Sequence, residues 1–326
     1  MDPAPVKVIL DTDIGPDSDD VGTIALLNAL ADLGEAQLLA MVADTTCPWA
    51  APCISALNTY YGRADVPIGT LKGNGPSGST PDWSGITFNQ QLSEKFPATY
   101  RHGAEVPCAT RVLRQALAAE GEREVVLIAI GSLTNFANLL ASQPDEYSSL
   151  PGRELVARSV RELVIMGGRY PSGGPECNFA YDPPATRLVV ESFPAPLVFL
   201  GSEVGERLQT GPRLFTETPP TNPVREAYLL WDAHFIPRWH KDAVMGDRIW
   251  PHSSYDQATA LFAVRRAGEL FAVRQGRRNV VGDDGSNAWE DGESPVPHAW
   301  LELAAPAETV ATVIEDLMVR QPALSR

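Results

Sequence analysis

The chain is poor in positive charge, in cysteine and in long apolar runs, and each shortage removes a class of function. Among 326 residues, Lys and Arg number 26 against 41 Asp and Glu, a formal net charge of −15. Such a surface repels DNA and RNA on average, so no nucleic-acid partner is expected and small neutral or cationic ligands fit better. No apolar stretch reaches the roughly 18 residues needed to cross a bilayer, and no signal-peptide core is visible, so the chain reads as soluble with no membrane partner. The opening Met1-Asp2-Pro3-Ala4-Pro5 suits a cytoplasmic start as well as an extension placed on a processed, secreted N-terminus, which leaves the compartment open. Four cysteines without a CxxC pair argue against structural zinc. Cys47 and Cys53 are close enough in sequence to bridge in an oxidising compartment, whereas Cys108 and Cys177 have no obvious partner. There is no Gly/Ser-rich or Pro-rich linker and no internal repeat, so residues 1–326 are expected to form a single domain.

What the chain does have is acid in one place. Asp11, Asp13, Asp17, Asp19 and Asp20 fall within ten residues, directly after the apolar run 6–10 and directly before a helical pattern carried by Val21, Ile24, Leu27 and Leu30. One or two aspartates there would be explained as turn residues or a helix cap. Five repel one another until a proton or a cation intervenes. Oxygen-only ligands favour a hard cation, Ca²⁺ or Mg²⁺, over zinc or copper.

Further along, strands are expected at 37–42, 124–130, 163–166 and 197–200, alternating with helices at 51–61, 109–119, 134–140 and 184–191. An irregular surface excursion is expected over 71–106. Alternation of this kind predicts an α/β fold: an open, mostly parallel, mixed central sheet with helices on both faces. Right-handed crossovers then bring the loops 11–20, 44–46, 131–135, 167–178 and 201–203 to one sheet edge, where ligands bind in such folds. A late helix starts near Tyr255-Asp256 with an aspartate in its first turn, which by itself reads equally well as a cap.

Taken in order, Asp11-Thr12-Asp13 with Gly15 and Asp19-Asp20, Ile130-Gly131-Ser132-Leu133-Thr134-Asn135, Met166-Gly167-Gly168, Glu176-Cys177-Asn178 and Tyr255-Asp256 resemble the motifs of the nucleoside hydrolases, the inosine-uridine-preferring N-ribohydrolase family. The resemblance implies Ca²⁺-dependent hydrolysis of the N-glycosidic bond of a ribonucleoside or related riboside, in purine or pyrimidine salvage. By position, Asp13, Asp20, Asp256 and the backbone carbonyl of Ile130 would ligate Ca²⁺, and Asp19, Glu176 and Asn178 would hold ribose hydroxyls. Asp11 would support these from behind. Asp13 would take a proton from the attacking water as the bond breaks through an oxocarbenium-like state. A homodimer or homotetramer is implied as well.

Three departures from the family pattern bear on the chemistry. Asp17 is an extra carboxylate, read as a supporting loop residue. Asp44-Thr45 stands where Gly-Asn is common, so a substrate contact at Thr45 is a weaker expectation. Tyr255 stands where many members carry the histidine that acts as leaving-group acid; a phenol with an ordinary pKa near 10 is a poorer donor, though it can hydrogen-bond or stack on a base. His252, three residues earlier, is expected at the surface. Trp49, Trp83, Trp231, Trp239, Tyr181 and Tyr255 are candidates for stacking, with core packing the default role of each. Two other functions remain open. Mg²⁺-dependent phosphoryl transfer also uses Asp-x-Asp after a first strand, but Gly15 and the lack of a phosphate-binding lysine loop disfavour it. A Ca²⁺-dependent riboside-binding protein with weak or no hydrolase activity is favoured by Tyr255.

Overall fold

A computed structural model describes residues 4–15, 17–73, 75, 88–266, 268–275 and 277–323. Trp83 lies outside them, as does the side chain of Trp239. The apolar, β-branched runs form strands β1 (Val6–Thr12), β2 (Ala36–Ala43), β3 (Ile68–Thr70), β4 (Val125–Ala129), β5 (Val160–Met166), β6 (Leu197–Leu200), β7 (Phe271–Gln275) and β8 (His298–Leu303). These make one eight-stranded sheet in the order β7-β8-β6-β5-β4-β1-β2-β3. Every neighbouring pair is parallel except β7 with β8, so the sheet is the mostly parallel, mixed one expected.

The sheet is buried on both faces, and the period-2 pattern divides its side chains between two cores. Val8, Leu10, Val126, Ile128, Val164 and Leu200 join one. Ile9, Leu127, Leu163, Ile165 and Phe199 join the other. Helix α1 (Asp19–Asp32) is buried continuously from Asp19 to Leu30, because helix α3 (Tyr255–Arg265) and the C-terminal helix Ala307–Met318, with a smaller share from helix α2 (Pro223–Trp239), cover the side that a surface helix would expose. Gly22 permits that contact: a Cβ there would lie 2.5 Å from Gln257 Nε2 and 2.6 Å from the Tyr228 hydroxyl. The approach matters because it sets the first turn of α3 beside the first turn of α1.

One expectation needs correction, and one open point is decided. The stretch 71–106 is not all irregular, since Phe88–Lys95 is a helix whose Phe88 and Leu92 enter the core; its apolar face is only two residues wide and gives little pattern. Cys47, Cys53, Cys108 and Cys177 are all free thiols. Among the described residues, no helix is long and apolar enough to cross a membrane.

Candidate active site

β1 ends at Thr12 and α1 begins at Asp19. The Thr12 hydroxyl donates to Asp20 Oδ1 and accepts the amide of Ile14 at 3.2 Å, which ties the strand end to the helix start. Asp19 and Asp20 occupy the first turn of α1, where the exposed amides favour negative charge. Asp256 is the second residue of α3, and its amide donates to Asp19 Oδ2 at 3.4 Å. Carboxylate oxygens of Asp19, Asp20 and Asp256 lie within 4.8 Å of one another.

These residues floor a cavity of about 340 Å³ at the carboxyl ends of the strands. Asp13, Asn178 and Ile130 complete its buried part, and Arg169, Glu176, Tyr181, Glu206 and Tyr255 form a more exposed wall. Glu176 is fixed by backbone. It caps the short helix Cys177–Tyr181 and accepts the amides of Gly168 (3.0 Å), Asn178 (3.1 Å) and Phe179 (3.3 Å). Gly168 presents its N–H from a backbone at φ +75°, and a Cβ there would meet Asn287 Oδ1 at 2.8 Å. Across the wall, Arg169 pairs with Glu206.

Burial dominates the electrostatics. It pushes Asp13 up to about 7, with the charges of Asp17 and Glu176 adding to the effect. It raises Asp19, Asp20 and Asp256 well above the ordinary carboxyl range, and neighbouring aspartates reinforce each shift. Glu176 is also raised by burial, against the pull of its three amides. The Tyr255 phenol is pushed up to about 12 by burial. Buried carboxyls crowded in this way favour a cation among them, and an oxygen-only donor set suits Ca²⁺ or Mg²⁺ and not a soft metal.

The structure places the expected residues unevenly. Asp13, Asp17, Asp19, Asp20, Ile130, Glu176, Asn178, Tyr255 and Asp256 all line the cavity. Asp17 is thus at the wall, not behind it. Asp19, which the motif gave to ribose, shares mutual reach with Asp20 and Asp256, and Asp13 stands outside that trio. Asp11 is fully buried and accepts Asn135 Nδ2 at 2.9 Å, while its other oxygen has no partner. Thr45 is fully buried away from the cavity, its hydroxyl accepting the Cys47 amide at 3.1 Å. Beside it Asp44 buries both carboxylate oxygens without a hydrogen-bond partner, and burial raises its pKa well above the usual range.

His252 is a correction. It is buried, not at the surface: Nε2 pairs with Asp232 Oδ1 at 2.8 Å and Nδ1 with Ser18 Oγ at 2.9 Å, between the Tyr228 and Trp231 rings. It therefore anchors the residue that precedes Asp19. Of the candidate aromatics, Tyr181 and Tyr255 reach the cavity, whereas Trp231 packs in the core and Trp49 stands edge-on to His102. Arg169, Glu206 and Ser202 line the cavity without having been singled out, because isolated polar residues after strands carry no local signal.

A family model described as inosine-uridine preferring nucleoside hydrolase matches residues 8–312. The pyrimidine-specific ribonucleoside hydrolase RihA of Klebsiella pneumoniae subsp. pneumoniae is 36% identical over 109 residues, 32% of this chain and 32% of that protein, so the match spans about a third of the curated relative's length. Among solved structures, the inosine-uridine preferring nucleoside hydrolase of Bacillus anthracis superposes with a TM-score of 0.70 at 16% identity, covering 96% of this chain and 99% of that one. A plant nucleoside hydrolase gives a TM-score of 0.69 at 18% identity, covering 97% and 99%. At such identities the superpositions speak for the fold, while the family match extends over nearly the whole sequence. The chain belongs to the inosine-uridine preferring nucleoside hydrolases, a family of N-glycoside hydrolases.

Proposed function

We propose that this cavity hydrolyses the N-glycosidic bond of ribonucleosides or related ribosides with the help of Ca²⁺, releasing ribose and the free base. The observation that carries the reading is the meeting of Asp19 and Asp20 with Asp256, from opposite ends of the chain, within 4.8 Å at the floor of a pocket sized for a small molecule. Asp20 and Asp256 would hold the ion, with Asp13 and the Ile130 carbonyl on the strand side. When bound, the cation supplies coordination for a vicinal diol and acidifies a water.

The chain's own residues do the rest. Asp13, with its carboxyl near 7, is suited to take a proton from the attacking water. Asp19, Glu176 and Asn178 are set to hold ribose hydroxyls, and the amide-fixed Glu176 carboxylate stabilises positive charge developing on the sugar. Asp11, and Asp44 beneath it, back the Asp13 side of the site. Tyr255 faces the departing aglycone from the wall as a hydrogen-bonding or stacking group. Salvage of purines or pyrimidines and assembly as a homodimer or homotetramer belong to the same reading.

A second reading, a Ca²⁺-dependent riboside-binding protein with little turnover, is favoured by one observation: the group at the expected leaving-group position, Tyr255, is a phenol raised to about 12. Steady-state cleavage of purine, pyrimidine and nicotinamide ribosides, with and without chelator, separates the two. Cleavage that stops on chelation supports hydrolysis; calorimetric riboside binding without turnover supports the second reading; activity indifferent to chelator and to Asp13→Asn rejects both.

A further inference from the structure

All five histidines, His102, His234, His240, His252 and His298, belong to the described residues, and none lines the cavity. Residues 74 and 76–87, outside the described ones, include no His, Lys or Arg in the sequence. His252, nearest in sequence to Tyr255, has both ring nitrogens engaged by Asp232 and Ser18. Arg169, the one cationic side chain lining the cavity among the described residues, is committed to Glu206. Seven acidic side chains line the same space, so a bound divalent ion still leaves acid in excess.

A neutral nucleoside fits this wall poorly. Its base departs as an anion unless a proton is supplied, and here it would develop negative charge facing carboxylates with no imidazolium at hand. We infer that the cavity is built for ribosides whose aglycone already carries positive charge at the glycosidic ring, such as N-ribosylpyridinium compounds and N7-alkylated purine ribosides. The inference rests on the proposed riboside hydrolysis and names its substrate class.

In such a substrate the C1′–N bond breaks with its electron pair going to nitrogen, and the aglycone leaves neutral. Water adds to C1′ and releases one proton through the carboxylates to solvent. Cation and water become ribose, neutral amine and a proton, with no acid needed for the leaving group. In the transition state the positive charge moves from the aglycone onto the sugar, toward Glu176 and Asp19. Before that, the Tyr181 and Tyr255 rings offer the cation aromatic faces at the wall, in a space where acidic side chains outnumber Arg169.

The test compares kcat/KM of the Ca²⁺-loaded protein on N-ribosylnicotinamide and 7-methylinosine with that on inosine and uridine. The inference expects at least a hundredfold preference for the two cations. It also expects Tyr255→His, which adds an imidazole at the wall, to narrow the preference between 7-methylinosine and inosine at least tenfold. Inosine or uridine cleaved as efficiently as the cations overturns the inference and leaves the hydrolase reading standing. An unchanged preference in a folded Tyr255→His protein also overturns it, and if that variant does not fold the wild-type comparison decides. Cleavage of none of the four substrates overturns the inference and the hydrolase reading together.

Discussion

Asp13→Asn is expected to strengthen the metal-free fold while disabling the site, and the size of the gain follows from the burial of this carboxyl. Below 3.8 it is protonated in folded and unfolded chains alike and has no differential effect. Between 3.8 and about 7 the folded protein keeps a proton that the unfolded chain has released, so stability falls as pH rises. Above 7 the loss from this one group is complete and amounts to roughly 4 kcal/mol, at about 1.36 kcal/mol per pH unit. Asparagine never ionises. In chelator at pH 8 the variant should therefore exceed wild type by up to that amount, and at pH 4 by little. Saturating Ca²⁺ should close most of that gap, since an ion present at a hundred times its Kd adds about 2.7 kcal/mol to a protein that binds it and little to one that has lost a ligand. Urea unfolding followed by tryptophan fluorescence, at both pH values and with and without Ca²⁺, reads all four states. A variant less stable than wild type in chelator at pH 8, or equal stabilisation of both proteins by Ca²⁺, refutes the reasoning.

Other substitutions probe the scaffold. Gly22→Ala places a methyl against Gln257 and Tyr228, and should cost about 1–3 kcal/mol as overpacking; because it moves α3 away from α1, Ca²⁺ affinity measured by calorimetry should drop with it. His252→Ala leaves Asp232 and Ser18 without their buried partner, at roughly 1.5–3 kcal/mol, and thermal unfolding together with a weaker Ca²⁺ titration should report it. Glu176→Gln turns an amide group toward the N–H groups of Gly168 and Phe179 and removes charge from the sugar side. Its kcat/KM should fall at least tenfold with Ca²⁺ binding retained.

The parts of this molecule that were legible in the sequence are those whose signal is local. The run from Val6 to Leu10, the acidic turn and the apolar recurrence of Val21, Ile24, Leu27 and Leu30 switch period within a few residues, and the structure has a strand, a loop and α1 there. The carboxyl-end loops after β1, β4, β5 and β6 each send residues to the cavity, as parallel topology requires. The loop after β2 does not: Asp44 and Thr45 are fully buried, and Thr45 is bonded to the Cys47 amide and the Thr70 hydroxyl instead. Strands β3, β7 and β8 escaped notice: β3 is only three residues long, β7 runs from buried Phe271 to exposed Arg274 and Gln275 at the sheet edge, and β8 sets His298 and Glu302 among its apolar residues. His252 was misplaced for a different reason. Its partner Ser18 is 234 residues away, and no window of sequence reveals that a buried hydroxyl and carboxylate await an imidazole. The Arg169–Glu206 pair, 37 residues apart, is invisible in the same way.

A crystal structure obtained in Ca²⁺ and ribose tests the central claim most directly, because the metal can be located by its anomalous signal and the sugar by its density. The account predicts one Ca²⁺ at about 2.3–2.6 Å from oxygens of Asp20 and Asp256, with the ribose diol on the same ion and Glu176 and Asn178 on the sugar. An ion bound elsewhere, or ribose seated without any ion at these carboxylates, would contradict it.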